Sequence, residues 1–369
     1  LPICGSVDEN KPESKAEGAG SAGDGSGGFP DTSGPIISDV NGTVSHGRTI
    51  TLSGSGFGKK SSGPPVVWDN CSGTDPLVLW GGNYNSEAEY PYRGHYTTPE
   101  KLGRGVALVH SHDAQYFAGC HYSGSGAYTS YNVGLWISRD NVTLPAYEFA
   151  SWYQRIDPEW DWAVDPSSHN FKIWDWSSGA TPYNQHWYLE RQSAAGSDGI
   201  DIHGDDGYTV DTYYGTIGWP DEALGWHKYE MEVCFSNDPA LGYVKLWVDA
   251  RLQMEWNGST DGGPYWHGSS RCTLIGGYTN AYGRSTQWRY FDDLYVDYTA
   301  QRVILGDSST WEKCTKLHEI QIPVAWSDTS ITVTVNQGVF AKGATAYLYV
   351  FDGTGTPNSK GYPVTFKSS

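Results

Sequence analysis

Methionine is almost absent from this chain, with 2 in 369 residues, and charged side chains are scarce at 18 %. No stretch strings together Ala, Leu, Glu and Lys as a long helix requires. No run of about 18 apolar residues occurs, which excludes a membrane-spanning helix. No block of Lys and Arg occurs, and the formal net charge is -18. Nucleic acid and anionic membrane surfaces are thereby excluded as partners, since both need basic patches. No C-x-x-C spacing occurs, which removes zinc ribbons, dithiol redox sites and haem attachment. No leader segment is visible, so the expectation is a mature chain.

What is abundant points one way. Gly (46), Trp (17) and Tyr (26) are high, a composition suited to short strands joined by tight turns. The fold class expected is all-β. Six cysteines in such a chain read as disulfides formed in an oxidising compartment, hence an extracellular or cell-surface location. Cys234 and Cys272, both in late strands of the central region, are the expected pair.

Residues 1–35 are rich in Gly, Ser, Asp, Glu and Pro. Such a segment cannot offset its ordering entropy alone and is expected to be a flexible arm or linker. Residues 36–68 carry about two strands, including TITLSGSGFG at 49–58, too few to close a sandwich. Residues 300–369 carry about five, among them SITVTV and TAYLYVF with clean period-2 alternation. Together they make the usual seven or so of an immunoglobulin-like sandwich. Residues 69–299 then form an insert, which reads strand after strand with turn signals between, as a two-sheet jelly roll does.

Two resemblances sharpen this. PIISDVNGTVSHGRTITLSGSGFG, RVILGDSSTW and WSDTSITVTV resemble the strands of IPT/TIG domains, immunoglobulin-like folds of cell-surface and secreted proteins. That resemblance implies a spacer or adhesive module. GWHKYEMEVCFSNDPALGYVKLWVDARLQMEW followed by FDDLYVD resembles the concanavalin-like jelly rolls of laminin-G modules and several polysaccharide lyases, mainly over residues 147–298. Ala250 stands where that hairpin usually has Gly.

The concave sheet of such a jelly roll is expected to hold a glycan, with aromatic rings stacking on sugar faces and polar groups bonding hydroxyls. The candidate glycan-binding residues are Trp152, Lys172, Trp174, Trp176, Tyr188 and Arg191. Alternation places Lys172, Trp174 and Trp176 on one face. A core face rarely includes Lys, which distinguishes this set from ordinary core aromatics. For a lyase, Tyr153, Arg155, Lys172, His186, Tyr188 and Arg191 have the residue types for proton abstraction and carboxylate neutralisation. The signature stretches of alginate-lyase families are absent, so no catalytic constellation emerges. Glu230 and Glu232 sit two apart, about 7 Å, on one face of a strand. They are expected to be its solvated side, with Met231 and Val233 buried.

Asp69, Asp292 and Asp293 are the candidate ligands of a structural Ca²⁺, because the ends of the insert must meet. His110 and His112, in VHSHD, form a weaker metal candidate. GSDGIDIHGDDG at 196–207 is expected to be an exposed acidic loop.

Three functions follow, in this order. The first is a non-enzymatic structural or adhesive surface protein, self-associating through the N-terminal arm as a filament-type subunit would, with a jelly roll able to bind glycans. The second is a soluble carbohydrate-binding protein. The third is a polysaccharide lyase acting on uronate-containing glycans.

Overall fold

The computed structural model describes residues 34–72, 82–83, 95–97, 116–123, 130–132, 135–137, 147–156, 171–178, 186–194, 197–205, 211–218, 226–236, 238–258, 271–275 and 287–367. Side chains are described over 34–72, 147–155, 173–174, 226–236, 238–258 and 290–367. The arm expected at 1–35 lies almost wholly outside these residues.

The first strands are β1 (Ile36–Gly42), β2 (Thr49–Ser55), β3 (Val67–Asp69), β4 (Gly82–Asn83), β5 (His95–Thr97), β6 (Tyr116–Ser123), β7 (Ser130–Asn132) and β8 (Leu135–Ile137). Next come β9 (Tyr147–Ile156), β10 (Phe171–Ser178), β11 (His186–Ala194), β12 (Ser197–Asp205) and β13 (Asp211–Gly218). They are followed by β14 (His227–Cys234), β15 (Tyr243–Val248), β16 (Arg251–Asn257), β17 (Arg271–Ile275) and β18 (Gln287–Asp297). The last are β19 (Arg302–Gly306), β20 (His318–Trp326), β21 (Ser330–Thr334), β22 (Thr345–Phe351) and β23 (Tyr362–Thr365).

These strands form three sheets. The first has the order β1-β2-β21-β20-β19-β22-β23. In β2, Ile50 and Leu52 are buried while Thr49 is exposed and Thr51 half-buried, as period-2 patterning dictates. Both lie opposite apolar residues of β21, Ile50 against Val333 and Leu52 against Ile331. The strand opened by TITLSGSGFG therefore pairs with a strand some 280 residues further on (281 from Thr51 to Thr332). Val303 and Leu305 of β19 and Leu348 and Val350 of β22 fill the same core. Gly54 is required by that packing: a Cβ there would lie 1.9 Å from the Ile36 carbonyl oxygen and 2.5 Å from the Phe57 ring.

The remaining two sheets make the jelly roll. One runs β13-β12-β11-β10-β17-β8-β4, and the other, of nine strands, runs β16-β15-β14-β9-β18-β6-β5 with β3 beside β18 and β7 beside β6. The chain enters by β3 and leaves by β18, and these strands pair antiparallel with Asp69 opposite Leu294. The ends of the insert therefore meet, as a looped-out domain requires. The whole is an all-β chain: β20 pairs with β19 over His318–Gln321 and with β21 over Ile322–Trp326, so the first sheet folds over on itself as a sandwich around its core, and the two-sheet jelly roll is inserted between β2 and β19. Residues 197–205, within the stretch expected to be a loop, form β12 instead. Ile200 and Ile202 alternate there with Asp201 and His203, a strand pattern that the surrounding glycines and aspartates concealed.

Strands β9, β14 and β18 of the nine-stranded sheet are covered on one face by the sandwich. Tyr147, Phe149 and Tyr295 pack with Ile304, Ile320, Ile322, Tyr349 and Phe351 in a second core. In β19 the alternation serves both cores: Val303 and Leu305 face one, Ile304 the other.

The hairpin between β15 and β16 turns on Asp249 (φ 51°) and Ala250 (φ 62°), both left-handed. Positive φ at both central positions is the type I′ hairpin turn, which favours Gly in the second, and the left-handed backbone costs an L-residue about 1–2 kcal/mol. Ala250→Gly is expected to raise stability by about 1 kcal/mol, read as a higher denaturation midpoint with unchanged slope.

Candidate functional site

Three regions bear on function: the space between the jelly-roll sheets, the seam between the jelly roll and the sandwich, and the far side of the jelly roll's seven-stranded sheet, β13-β12-β11-β10-β17-β8-β4.

Between the sheets, Trp152 of β9 stacks on Trp174 of β10 (centroids 4.5 Å, 24°) and on Tyr229 of β14 (5.4 Å, 8°). Both tryptophans are fully buried, and Trp174 Nε1 donates to Glu148 Oε1 at 3.2 Å. This corrects the expectation for Trp152 and Trp174. They hold the two sheets together and offer no ring face to a ligand.

The seam holds a buried polar cluster. Arg302 of β19 donates through Nη2 to Glu232 Oε2 at 3.0 Å and through Nη1 to the Ala300 carbonyl at 2.9 Å. Its guanidinium lies 4.2 Å from the Phe149 ring and 4.0 Å from the Phe351 ring, one ring from each body. Burial alone would lower Arg302, but Glu232, Tyr147 and Glu230 together outweigh it and hold the cation above its ordinary range. Tyr243 donates to Glu232 Oε1 at 2.9 Å. His318 meets acceptors at both ring nitrogens, Glu230 Oε2 at 2.7 Å and the Cys314 carbonyl at 3.0 Å. The imidazole also stacks on Trp311 at 4.3 Å. Burial pushes the Glu230 carboxyl up, but His318 and then Lys228 outweigh it and the group titrates below the usual glutamate range.

Glu319 accepts from Tyr153 at 2.6 Å, from the Val339 backbone at 3.0 Å and from Lys228 at 3.2 Å. Gly338 (φ +50°) lies so close that a Cβ would sit 2.0 Å from the Glu319 carboxyl carbon.

Two expectations change here. Glu230 and Glu232 are buried, 2 % and 5 % exposed, because the sandwich covers the face that a lone jelly roll would present to water. Tyr153, named for a lyase, is locked in the seam. Burial first, and then Glu319, push its hydroxyl well above the ordinary range, so it is a fixed donor. Arg155 is buried on the same strand.

The calcium candidates are all buried. Asp69 Oδ1 accepts from the Cys71 backbone at 2.8 Å, Asp292 Oδ1 from the Asp293 backbone at 3.0 Å, and Asp293 Oδ2 from Asn336 at 3.2 Å. Among the described residues no three His, Cys, Asp or Glu side chains gather to hold a metal ion. His110 and His112 lie outside the described residues. Cys234 is disulfide-bonded, and the side chain of Cys272 lies outside the described residues. Cys71 and Cys314 are buried thiols, so the six cysteines do not all pair.

The side chains of Lys172, Trp176, His186, Tyr188 and Arg191 lie outside the described residues, but their ladder positions are described. The register between β10 and β11 shifts between Lys172 and Trp174, which lie opposite the consecutive residues Glu190 and Leu189. The bulge at Ile173 breaks the alternation that placed Lys172, Trp174 and Trp176 together. Trp176 and Arg191 share the phase of buried Trp174, whereas Lys172, Tyr188 and His186 take the opposite phase.

In that opposite phase one rung crosses all seven strands. Its successive partners are Gly82, Trp136, Leu274, Asp175, Tyr188, His203 and Tyr213. Of these, only Tyr188 was legible as a candidate. The others come from six separate strands and share no motif, and cross-strand register alone unites them.

No protein-family model matches the chain, and no curated protein matches it. Among solved structures it is similar to an alginate lyase, vAL-1, from Chlorella virus, at 13 % identity and TM-score 0.37, over 61 % of this chain and 98 % of that one. It is similar to a laminarinase from Flavobacterium sp. UMI-01, at 10 % identity and TM-score 0.33, over 59 % and 99 %. A third is the CBM2 module of the evolved Dit protein of Lactobacillus casei BL23 phage J-1, at 15 % identity and TM-score 0.30, over 64 % and 97 %. At these identities and TM-scores the likenesses leave the chemistry to the chain's own residues.

Two outcomes test the seam. Arg302→Leu leaves Glu232 buried without its cation and is expected to cost about 3–5 kcal/mol. The double variant Arg302→Leu with Glu232→Gln is expected to recover part of that loss, measured by chemical denaturation. Glu230, with its lowered folded pKa, stabilises the fold above the ordinary glutamate value and loses that contribution as pH falls through the folded value. Glu230→Gln is therefore expected to flatten the acid limb of the stability–pH curve.

Proposed function

We propose that the chain is a secreted, non-enzymatic surface protein whose jelly roll binds a polysaccharide across the seven-stranded sheet. The rung Trp136–Leu274–Asp175–Tyr188–His203–Tyr213 carries this reading. Six strands at about 4.8 Å spacing give a track of about 24 Å, long enough for several sugar units. Aromatic residues at both ends and in the middle supply stacking partners, and Asp175 and His203 supply groups for hydroxyls. The opposite side of the jelly roll is taken up by the sandwich, which acts as an IPT/TIG-like spacer and leaves the seven-stranded sheet turned outward. The formal charge of -18, with Glu190, Asp201, Asp205 and Asp211 in the same phase as the rung, favours a neutral chain over a polyuronate. The disulfide at Cys234 supports an oxidising, extracellular location.

A lyase reading draws on one observation, the direct cross-strand pairing of Tyr188 with His203, two residue types able to move a proton. Binding to a panel of neutral and uronate glycans separates the readings. Tyr188→Ala and His203→Ala are expected to weaken binding to a neutral glycan by about tenfold or more, as loss of a stacking or hydrogen-bonding anchor does, with thermal unfolding unchanged. Unsaturated uronate products, seen by ultraviolet absorbance, would instead identify a lyase.

A further inference from the structure

Lys60 lies in the segment that leaves β2 for the jelly roll, and Asp297 ends β18, by which the chain leaves it. Though 237 residues apart in sequence, they are in direct contact through Lys60 Nζ and Asp297 Oδ2. Their side chains are 1 % and 4 % exposed. The ammonium also donates to the Gly63 carbonyl at 3.3 Å and lies 5.5 Å from the Trp326 ring centroid. Asp297 accepts from the Tyr295 hydroxyl at 3.0 Å, on Oδ2, and from Thr299 Oγ1 at 3.2 Å, on Oδ1.

Two charges removed from water this completely are costly to keep. Proton transfer from the ammonium to the carboxylate leaves a neutral amine against a neutral acid and removes both. Burial pushes the Asp297 carboxyl above its ordinary range even with Lys60 beside it. An amine and a carboxylic acid held in contact without water react at a high effective concentration.

We propose that Lys60 and Asp297 become joined by an amide cross-link when the chain folds. Lys60 Nζ, as the neutral amine, forms a bond to Asp297 Cγ. The Tyr295 hydroxyl, donating to Oδ2, stabilises the negative charge that develops as Nζ adds. The Cγ–Oδ1 bond then breaks. That oxygen departs as water with one proton from the acid and one from the amine, so no oxidant or other reactant is needed. The link short-circuits the jelly roll. Tension applied to the chain before Lys60 and after Asp297 passes through the amide, and a surface protein pulled from both ends keeps its glycan-binding insert unloaded.

The test is the intact mass of the full chain, purified, denatured and reduced. The expected mass lies below the sequence mass by one water, and protease digestion is expected to yield the Lys60 and Asp297 peptides as one linked species. Lys60→Arg and Asp297→Ala are each expected to restore the missing water. Wild-type protein that unfolds cooperatively, has the full sequence mass and yields the two peptides separately overturns the proposal. The wild-type measurement decides the matter even if a variant fails to fold.

Discussion

The structure turns on one buried cation. Arg302 stands at the start of β19, clasped between a phenylalanine of the jelly roll and one of the sandwich, with its charge met by Glu232 of the jelly roll. A guanidinium tolerates such a place because its flat faces accept aromatic rings while its edge donates hydrogen bonds. Once it is there, Glu232 must face the sandwich. The odd positions of β9 then pack on β19, β20 and β22, and β9, β14 and β18 meet the sandwich on that side.

The rest of the seam repeats this logic with other charges. His318 answers Glu230, and Lys228 and Tyr153 answer Glu319. Buried pairs of this kind add little to stability over an apolar interface, but each is costly to break singly. Their effect is to specify one docking geometry. Gly338, with no room for a side chain beside Glu319, belongs to the same constraint. The functional consequence is positional: a jelly roll held in one orientation presents its seven-stranded sheet, and the rung through Tyr188 and His203, on the side away from the sandwich's seam.

Within the jelly roll, the tryptophans most conspicuous in the sequence serve packing. Trp152 and Trp174 bind the two sheets as a stack, with Tyr229 extending it. An aromatic on a strand can face either a core or a ligand with the same local pattern, and a single bulge decides which. At Ile173 the bulge reverses the phase of Lys172 relative to Trp174, so a face that alternation drew as one surface is two.

The sequence by itself determined the all-β class, the split of the sandwich into two pieces and the existence of the insert. Period-2 patterns such as those around Ile50 and Ile331 are local, and neither piece has enough strands to close a core. It also marked Tyr188 as a functional candidate. Tertiary structure decided what no local pattern encodes: that Glu230 and Glu232 are covered, that Trp152 and Tyr153 serve opposite faces of one strand, and that His203 stands beside Tyr188. Burial of a strand's face depends on what packs over it, and alignment across a sheet depends on register and bulges. Both are properties of contacts between residues far apart in the chain.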